Sequence, residues 1–196
     1  AYRVALDLTN QRLAAAPIEP RSVAASYDAD SGRLTIQRSS QMPTGVRNTL
    51  ADNVLKIDRE RIRVLVEDVG GGFGMKTGLY PEDGVVAFAA LQLKMPVKWI
   101  ADRSEEMLSA TAGRDLHSHA ELALDGDGRI LALRVRSQAN VGAYATATGV
   151  AIQLLIGPWV QTSIYDIRVI DLKLQAILTH TATTGAYRGA GRPENI

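Results

Sequence analysis

The sequence predicts an α+β fold: a mixed sheet built from two hairpins plus single strands, with helices packed on one face. Three observations predict it. Two pairs of strand-like runs flank short turns rich in Asp and Gly, at residues 28–32 and 125–128. Helical segments are interspersed among the hairpins instead of following every strand, so a doubly wound nucleotide fold fits less well. The 196 residues, 46% hydrophobic and 22% charged, bury enough core for one globular domain or at most two small ones, and the whole of 1–196 is expected to be a single domain.

The elements follow in order. Residues 1–21 lack clear periodicity, carry two prolines, and are expected to form an extended arm. Val23 to Tyr27 and Arg33 to Arg38 make the first hairpin, with Gly32 suited to positive φ in its turn. Val46, Leu50, Val54 and Leu55 then recur at helical spacing, predicting a helix from about Pro43 to Lys56 with Thr44 as N-cap. Ile62 to Val66 is expected to be a buried strand running into a glycine loop.

From Pro81 to Lys94 the acids in the first turn and the lysine in the last match a helix dipole. Val85 to Leu93 is apolar nearly all round, so this helix is expected to be buried or sandwiched. Val97 to Ile100 is a short strand, and Ser104 to Leu108 a small helix. Leu116 to Leu124 and Ile130 to Asn140 form the second hairpin. The Gly-, Ala- and Thr-rich stretch Val141 to Pro158 suits tight packing against material beyond this chain, and Ile167 to Ala176 is the last strand.

Composition excludes several function classes. A net charge of +1 with no block of one sign gives no footprint for nucleic acid or an anionic membrane surface. With no cysteine, disulfides, iron–sulfur ligation and thiolate zinc sites are ruled out within the chain. The longest apolar stretch, Val150 to Val160, is too short and too interrupted to span a bilayer. The expectation is a soluble protein; both ends read as cuts in a longer polypeptide, so the compartment stays unknown, with the cytoplasm favoured.

Two segments carry possible chemistry. In Gly70-Gly71-Gly72-Phe73-Gly74-Met75-Lys76 the glycines let the backbone approach a ligand and aim N–H groups at an anion. Met75 stands where a P-loop or a dinucleotide fingerprint needs glycine, so neither nucleotide motif applies. Ala186-Tyr187-Arg188-Gly189-Ala190-Gly191-Arg192-Pro193 can present backbone donors and guanidinium groups to a dense anionic ligand, or can be a solvated basic loop. His117 and His119 share a strand face without a third ligand at a familiar spacing, so exposure or cross-strand pairing is expected. The acidic pairs Glu82-Asp83 and Glu105-Glu106 read as dipole partners or solvated faces.

Together, Ser40-Gln41-Met42-Pro43, Val69-Gly70-Gly71-Gly72-Phe73-Gly74 with Lys76, and Ala186 through Glu194 resemble three motifs of the molybdenum hydroxylase large subunits. These are the subunits of the xanthine dehydrogenase, aldehyde oxidase and carbon monoxide dehydrogenase family. The resemblance spans essentially the whole chain, in the family's order, and corresponds to the first of two cofactor-binding domains. It implies cofactor contacts from Gly70, Gly71, Gly72, Phe73, Gly74, Ala186, Tyr187, Arg188 and Gly189, and catalytic positions for Gln41 and Arg188, with no residue bound directly to metal.

The implied cofactor is a molybdenum-pterin, molybdopterin or its cytosine dinucleotide form, held only with the rest of the large subunit. Iron–sulfur and FAD groups are implied on partner chains or domains. The implied reaction is oxidation of an aldehyde or N-heterocycle with water-derived oxygen, and the chain alone is expected to be inactive because the family's glutamate base belongs to the second domain. Two departures shape this reading. Gly189 replaces the Cys of carbon monoxide dehydrogenases proper, and Thr77 replaces a Glu of purine-oxidising members. The alternatives are a non-catalytic assembly module of the same ancestry and an unrelated phosphate-binding domain.

Overall fold

The computed structural model describes residues 1–195. In chain order the elements are β1 (Tyr2–Asn10), β2 (Leu13–Ala14), β3 (Ser22–Asp28), β4 (Arg33–Arg38), α1 (Pro43–Thr49), β5 (Ile62–Leu65), α2 (Pro81–Leu93), β6 (Val97–Ile100), α3 (Arg103–Ser109), β7 (Ala112–Gly113), β8 (Leu116–Leu124), β9 (Ile130–Gly142), α4 (Ala147–Ala151), α5 (Gly157–Trp159), β10 (Ile170–Leu178) and α6 (Arg192–Asn195). π-helical turns at Leu50–Leu55 and Ile152–Ile156 extend α1 and join α4 to α5. The chain is α+β as expected. Within it are two compact units: Ala16–Ser109 is one, and Ala1–Ala15 with the residues from Ala110 onward is the other.

In the Ala16–Ser109 unit the strands lie in the order β5-β4-β3-β6. β3 runs antiparallel to β4 and β6, and β4 parallel to β5. Period-two alternation puts Val23, Ala25, Leu34 and Ile36 on one face. That face is covered by Leu50 and Ala51 behind α1 and by Val86, Ala87 and Ala90 of α2. Full burial of a side chain such as Leu34, Ile36 or Leu50 contributes about 2 kcal/mol each. The opposite side of α2 leaves Val85 67% and Phe88 55% exposed, which is why its apolar pattern has no clear amphipathic stripe.

Local expectations change here for physical reasons. Thr44 is not the N-cap: the cap is Met42, Pro43 occupies the first turn, and Ser40 Oγ accepts from Met42 N–H at 3.1 Å. The strand expected to be buried, β5, is an edge strand in which only Ile62 is fully buried. Asp83 and Glu106, expected among dipole partners or solvated faces, are buried against Arg38 and Arg21 respectively. The basic partners lie far away in sequence, so the adjacent-acid pattern could not reveal them.

The second unit carries a four-stranded sheet in the order β1-β8-β9-β10 and the short antiparallel pair β2-β7. β1, β8 and β9 are antiparallel and β10 joins β9 in parallel. Two separate four-stranded sheets therefore replace the single one expected. The arm assigned to 1–21 is likewise corrected, since Tyr2–Asn10 is an edge strand. Its signal was the alternation of Tyr2, Val4, Leu6 and Leu8 with Arg3, Asp7 and Thr9; the prolines sit outside it. Within 141–158, α4 starts from Thr146, whose Oγ1 accepts from Gly149 N–H at 3.1 Å. Gly149, Ile152, Gln153 and Gly157 are buried within the chain, whereas Tyr144, Leu155 and the following Trp159 stay exposed, so only one side of this stretch packs internally.

Candidate functional site

The glycine loop leaves the end of β5 and closes at the 3₁₀ turn Met75–Thr77. Gly74 has φ of +101°, a region that β-carbon-bearing residues enter only with strain, and Phe73 beside it has φ of +53°. Gln41 holds this turn from the strand-to-helix connection before α1. Its Oε1 accepts from Gly74 N–H at 2.9 Å and its own N–H donates to Lys76 O at 2.9 Å. A β-carbon on Gly72 would come 2.5 Å from Gln41 Oε1, so a larger residue there would displace the Gln41 side chain from the loop.

Beneath the loop, Lys76 is completely buried. Its ammonium donates to Glu19 Oε2 at 2.9 Å, Glu19 O at 2.9 Å and Ser39 Oγ at 3.0 Å. The same Glu19 carboxylate accepts from Gly70 N–H at 2.7 Å and Ser39 Oγ at 2.8 Å. Burial pushes the Glu19 carboxyl up, but the hydrogen bonds from Lys76, Ser39 and Gly70 outweigh it and hold the group below the ordinary carboxylate range. Tyr80 OH donates to Met75 O at 2.9 Å, with the Arg21 guanidinium 3.9 Å above the Tyr80 ring. The loop is thus fixed from three sides by groups far from it in sequence.

This arrangement leaves donors available. Gln41 docks through its oxygen and its NH2 group has no partner among the described residues; Gly71 and Gly72 N–H likewise donate to nothing there. Such a donor set suits an anionic or oxo-bearing group. Among the described residues no group of three or more His, Asp or Glu is placed to hold a metal ion. Phe73 is 41% exposed beside these donors.

The second expected loop is built in the other unit. Tyr187 lies on Gly113, where any β-carbon would collide with the Tyr187 side chain. Gly189 has φ of +92°, and a β-carbon there would meet Pro193 at 2.7 Å. Ala190 N–H closes the turn on Tyr187 O at 2.8 Å, and Arg192 N–H donates to Gly189 O at 3.2 Å. Arg188 is exposed, while Ala186 and Tyr187 are half-buried. The organiser is Arg114, which sequence reasoning missed: its guanidinium reaches Tyr187 O, Arg188 O and Glu194 Oε1 and lies 4.8 Å from the Tyr187 ring centre.

The residues expected to act together thus fall into two sets. Gln41 and Gly70 through Gly74 are brought together in one unit, and Ala186 through Gly189 in the other. Glu19, Ser39 and Arg114 are additions from the structure, and so is the burial of Lys76 against Glu19. Lys76 alone had a signal, its place directly after the loop. The histidines pair across strands: His117 Nδ1 lies 3.1 Å from Thr9 Oγ1 and His119 Nδ1 2.7 Å from Asp7 Oδ1.

The chain thus defines a class of α+β domain with two glycine-bearing turns, each braced by a buried basic side chain, Lys76 in one unit and Arg114 in the other. The family is given by comparison: residues 1–196 match the molybdopterin cofactor-binding domain family, and the chain belongs to it. It is 34% identical over 182 residues to the nicotine 6-hydroxylase large subunit of Paenarthrobacter nicotinovorans, covering 92% of this chain and 22% of that one. To the carbon monoxide dehydrogenase large chain of Afipia carboxidovorans it is 33% identical over 181 residues, again 92% and 22%. The crystal structure of quinoline 2-oxidoreductase from Pseudomonas putida 86 superposes with a TM-score of 0.94 at 36% identity, covering 97% of this chain and 24% of that one. The chain therefore spans about a fifth to a quarter of the length of these relatives. No helix among the described residues is long and apolar enough to cross a membrane.

Proposed function

We propose that this chain is the first cofactor-binding domain of the large subunit of a molybdenum-dependent hydroxylase acting on an N-heterocycle or an aldehyde. The observation that carries the proposal is Gln41, docked by its oxygen on Gly74 N–H with its NH2 group left as a donor. Cofactor contacts are assigned to Gly70, Gly71, Gly72, Phe73 and Gly74 in one unit and to Ala186, Tyr187, Arg188 and Gly189 in the other. When bound, the molybdenum-pterin cofactor, as molybdopterin or its cytosine dinucleotide form, supplies the two-electron oxidation of substrate carbon with water-derived oxygen.

This chain's residues bind and orient. Gln41 NH2 and the N–H groups of Gly71 and Gly72 would hold the cofactor by donating hydrogen bonds to its oxygen-bearing groups. The exposed ring of Phe73 bounds the space in which a flat substrate lies. The Arg188 guanidinium adds positive charge for an anionic cofactor group. Iron–sulfur and flavin groups on partner chains or domains would carry the electrons away, and the remainder of the large subunit would supply the base.

Relatives named for nicotine and quinoline favour an N-heterocycle. Purine oxidation is disfavoured because Thr77 turns its hydroxyl back to Gly74 O at 2.8 Å and offers no carboxylate. Loss of one preorganised charged contact costs about a hundredfold in rate. The complete protein should contain close to one molybdenum per large subunit and should turn over a quinoline or pyridine at a kcat/KM at least about a hundredfold above that for xanthine. A fully assembled protein without molybdenum overturns the family function, and xanthine as the best substrate overturns the substrate class.

A further inference from the structure

We propose that the outer edge of β5, flanked by Arg33, Arg47 and Arg63, is a docking site for an extended acidic segment of a partner subunit, which joins the sheet as a further strand. The inference rests on the multi-chain enzyme proposed above and adds to it the place where a second chain is held.

β5 lies at one edge of the β5-β4-β3-β6 sheet, with β4 as its neighbour. An edge strand directs a row of main-chain N–H and C=O groups away from its sheet. Apart from the ladder with β4, Arg63, Val64 and Leu65 make no main-chain hydrogen bond among the described residues. Alternating donors and acceptors of this kind are matched by another peptide main chain and not by a phosphate or a nucleic acid.

The charge around the edge selects the kind of strand. Between β5 and the first turn of α1 lies a groove of about 350 Å³, to which Arg33, Arg47, Glu60, Ile62 and Arg63 all contribute. The guanidinium groups of Arg33 and Arg63 are exposed and have no partner among the described residues. That of Arg47 reaches only the Asn48 side chain, at 3.3 Å. Three guanidinium groups therefore share the groove with a single carboxylate, that of Glu60. Elsewhere in the same unit Arg21 and Arg38 each pair with a buried carboxylate. An open guanidinium fork matches a carboxylate in bidentate fashion. Side chains alternate along a strand, so acids at every second position of the added strand would all face the arginines.

Charge also indicates which chain supplies the segment. Parts of one subunit are tethered together, and permanent contacts are mainly apolar, like the uncovered side of α2 with Val85 and Phe88. Chains that fold separately must meet by diffusion, and complementary charge speeds that encounter and fixes its register. A second copy of this chain would bring the same arginines to the edge and be repelled.

The test uses the complete enzyme. Hydrogen exchange at Arg63–Leu65 is followed in the assembled complex and in the full-length large subunit after its partners have been removed by salt. Those amides of the three that do not bond β4 should exchange slowly in the complex and quickly in the separated subunit. A large subunit carrying Arg33→Glu and Arg63→Glu should bind the partner subunits about tenfold more weakly, with melting temperature and molybdenum content unchanged. Fast exchange in the complex means that the arginines only keep an open edge from pairing, and slow exchange in the separated subunit means that its own chain covers β5. Either result overturns the inference, as does wild-type affinity in the variant or a large subunit that purifies without partners. Should the variant fail to fold, Arg33→Gln with Arg63→Gln carries the affinity comparison, and if that fails too the wild-type exchange comparison decides. A molybdenum-loaded enzyme with an open β5 edge defeats the inference alone; an assembled enzyme without molybdenum defeats the proposed function and this inference with it.

Discussion

At the scale of single residues, Lys76 and Glu19 show how the glycine loop depends on charge. Lys76 has no exposed surface, whereas the Glu19 side chain keeps about a third of its own. Removing one partner of a buried pair is costly because the other is left uncompensated. Glu19→Ala strands a buried ammonium, and Lys76→Met leaves a carboxylate that water can reach. We expect Glu19→Ala to lose about 2 kcal/mol and Lys76→Met clearly less, measured by denaturant unfolding. The reverse order would show that Glu19 does not neutralise Lys76. The pH dependence has a definite sign: the folded Glu19 carboxyl titrates below its unfolded value of about 4.3. Its contribution is therefore present above that value and lost as pH falls through the folded one, so the gap between wild type and Glu19→Ala should close below about pH 4.

At the scale of elements, the β1–β8 pair illustrates what a strand edge gains from polar cross-links. Arg3 pairs with Glu121, and Asp7 with His119. The hydrogen bond that His119 donates to Asp7, then that to Glu121, raises its pKa above the usual 6.5. This link favours the paired strand at low pH and fades as pH rises through the folded value. A histidine titration by NMR should give a midpoint above 6.5 in wild type and a lower one in Asp7→Asn; equal midpoints would mean that the edge pair is open in solution. Strand identity was legible wherever periodicity was clean, as in β3, β4, β8 and β9, and α2 was legible from its acidic first turn and terminal lysine. It failed at β1, where a strand was read as an arm, and at α4, where glycine and threonine hid a helix stabilised by packing and by its Thr146 cap.

At the scale of the whole molecule, each unit leaves large apolar side chains uncovered: Tyr2, Val4, Leu6 and Leu8 on β1, and Val85, Phe88 and Leu93 on α2. Contiguous apolar surface of this kind belongs against other protein. With the chain spanning about 22% of its relatives' length, the remainder of the subunit is the proposed cover. The 196-residue chain made by itself should fold, bind a hydrophobic dye or self-associate, and hold almost no molybdenum. Near-stoichiometric metal in a monomeric, dye-silent chain would contradict both the missing cover and the shared cofactor shell.

The sequence by itself determined the α+β class, most strand and helix positions and the three motifs that mark the family, because these depend on local periodicity and on residues adjacent in the chain. Only the tertiary structure decided that there are two compact units and two sheets, that Asp83 and Glu106 are buried ions, and that Glu19, Lys76 and Arg114 brace the loops. Glu19 is 57 residues from Lys76 and Arg114 is 74 from Arg188. Contacts at such separations follow from how strands pair and helices cover them, and no local pattern of residue types encodes them.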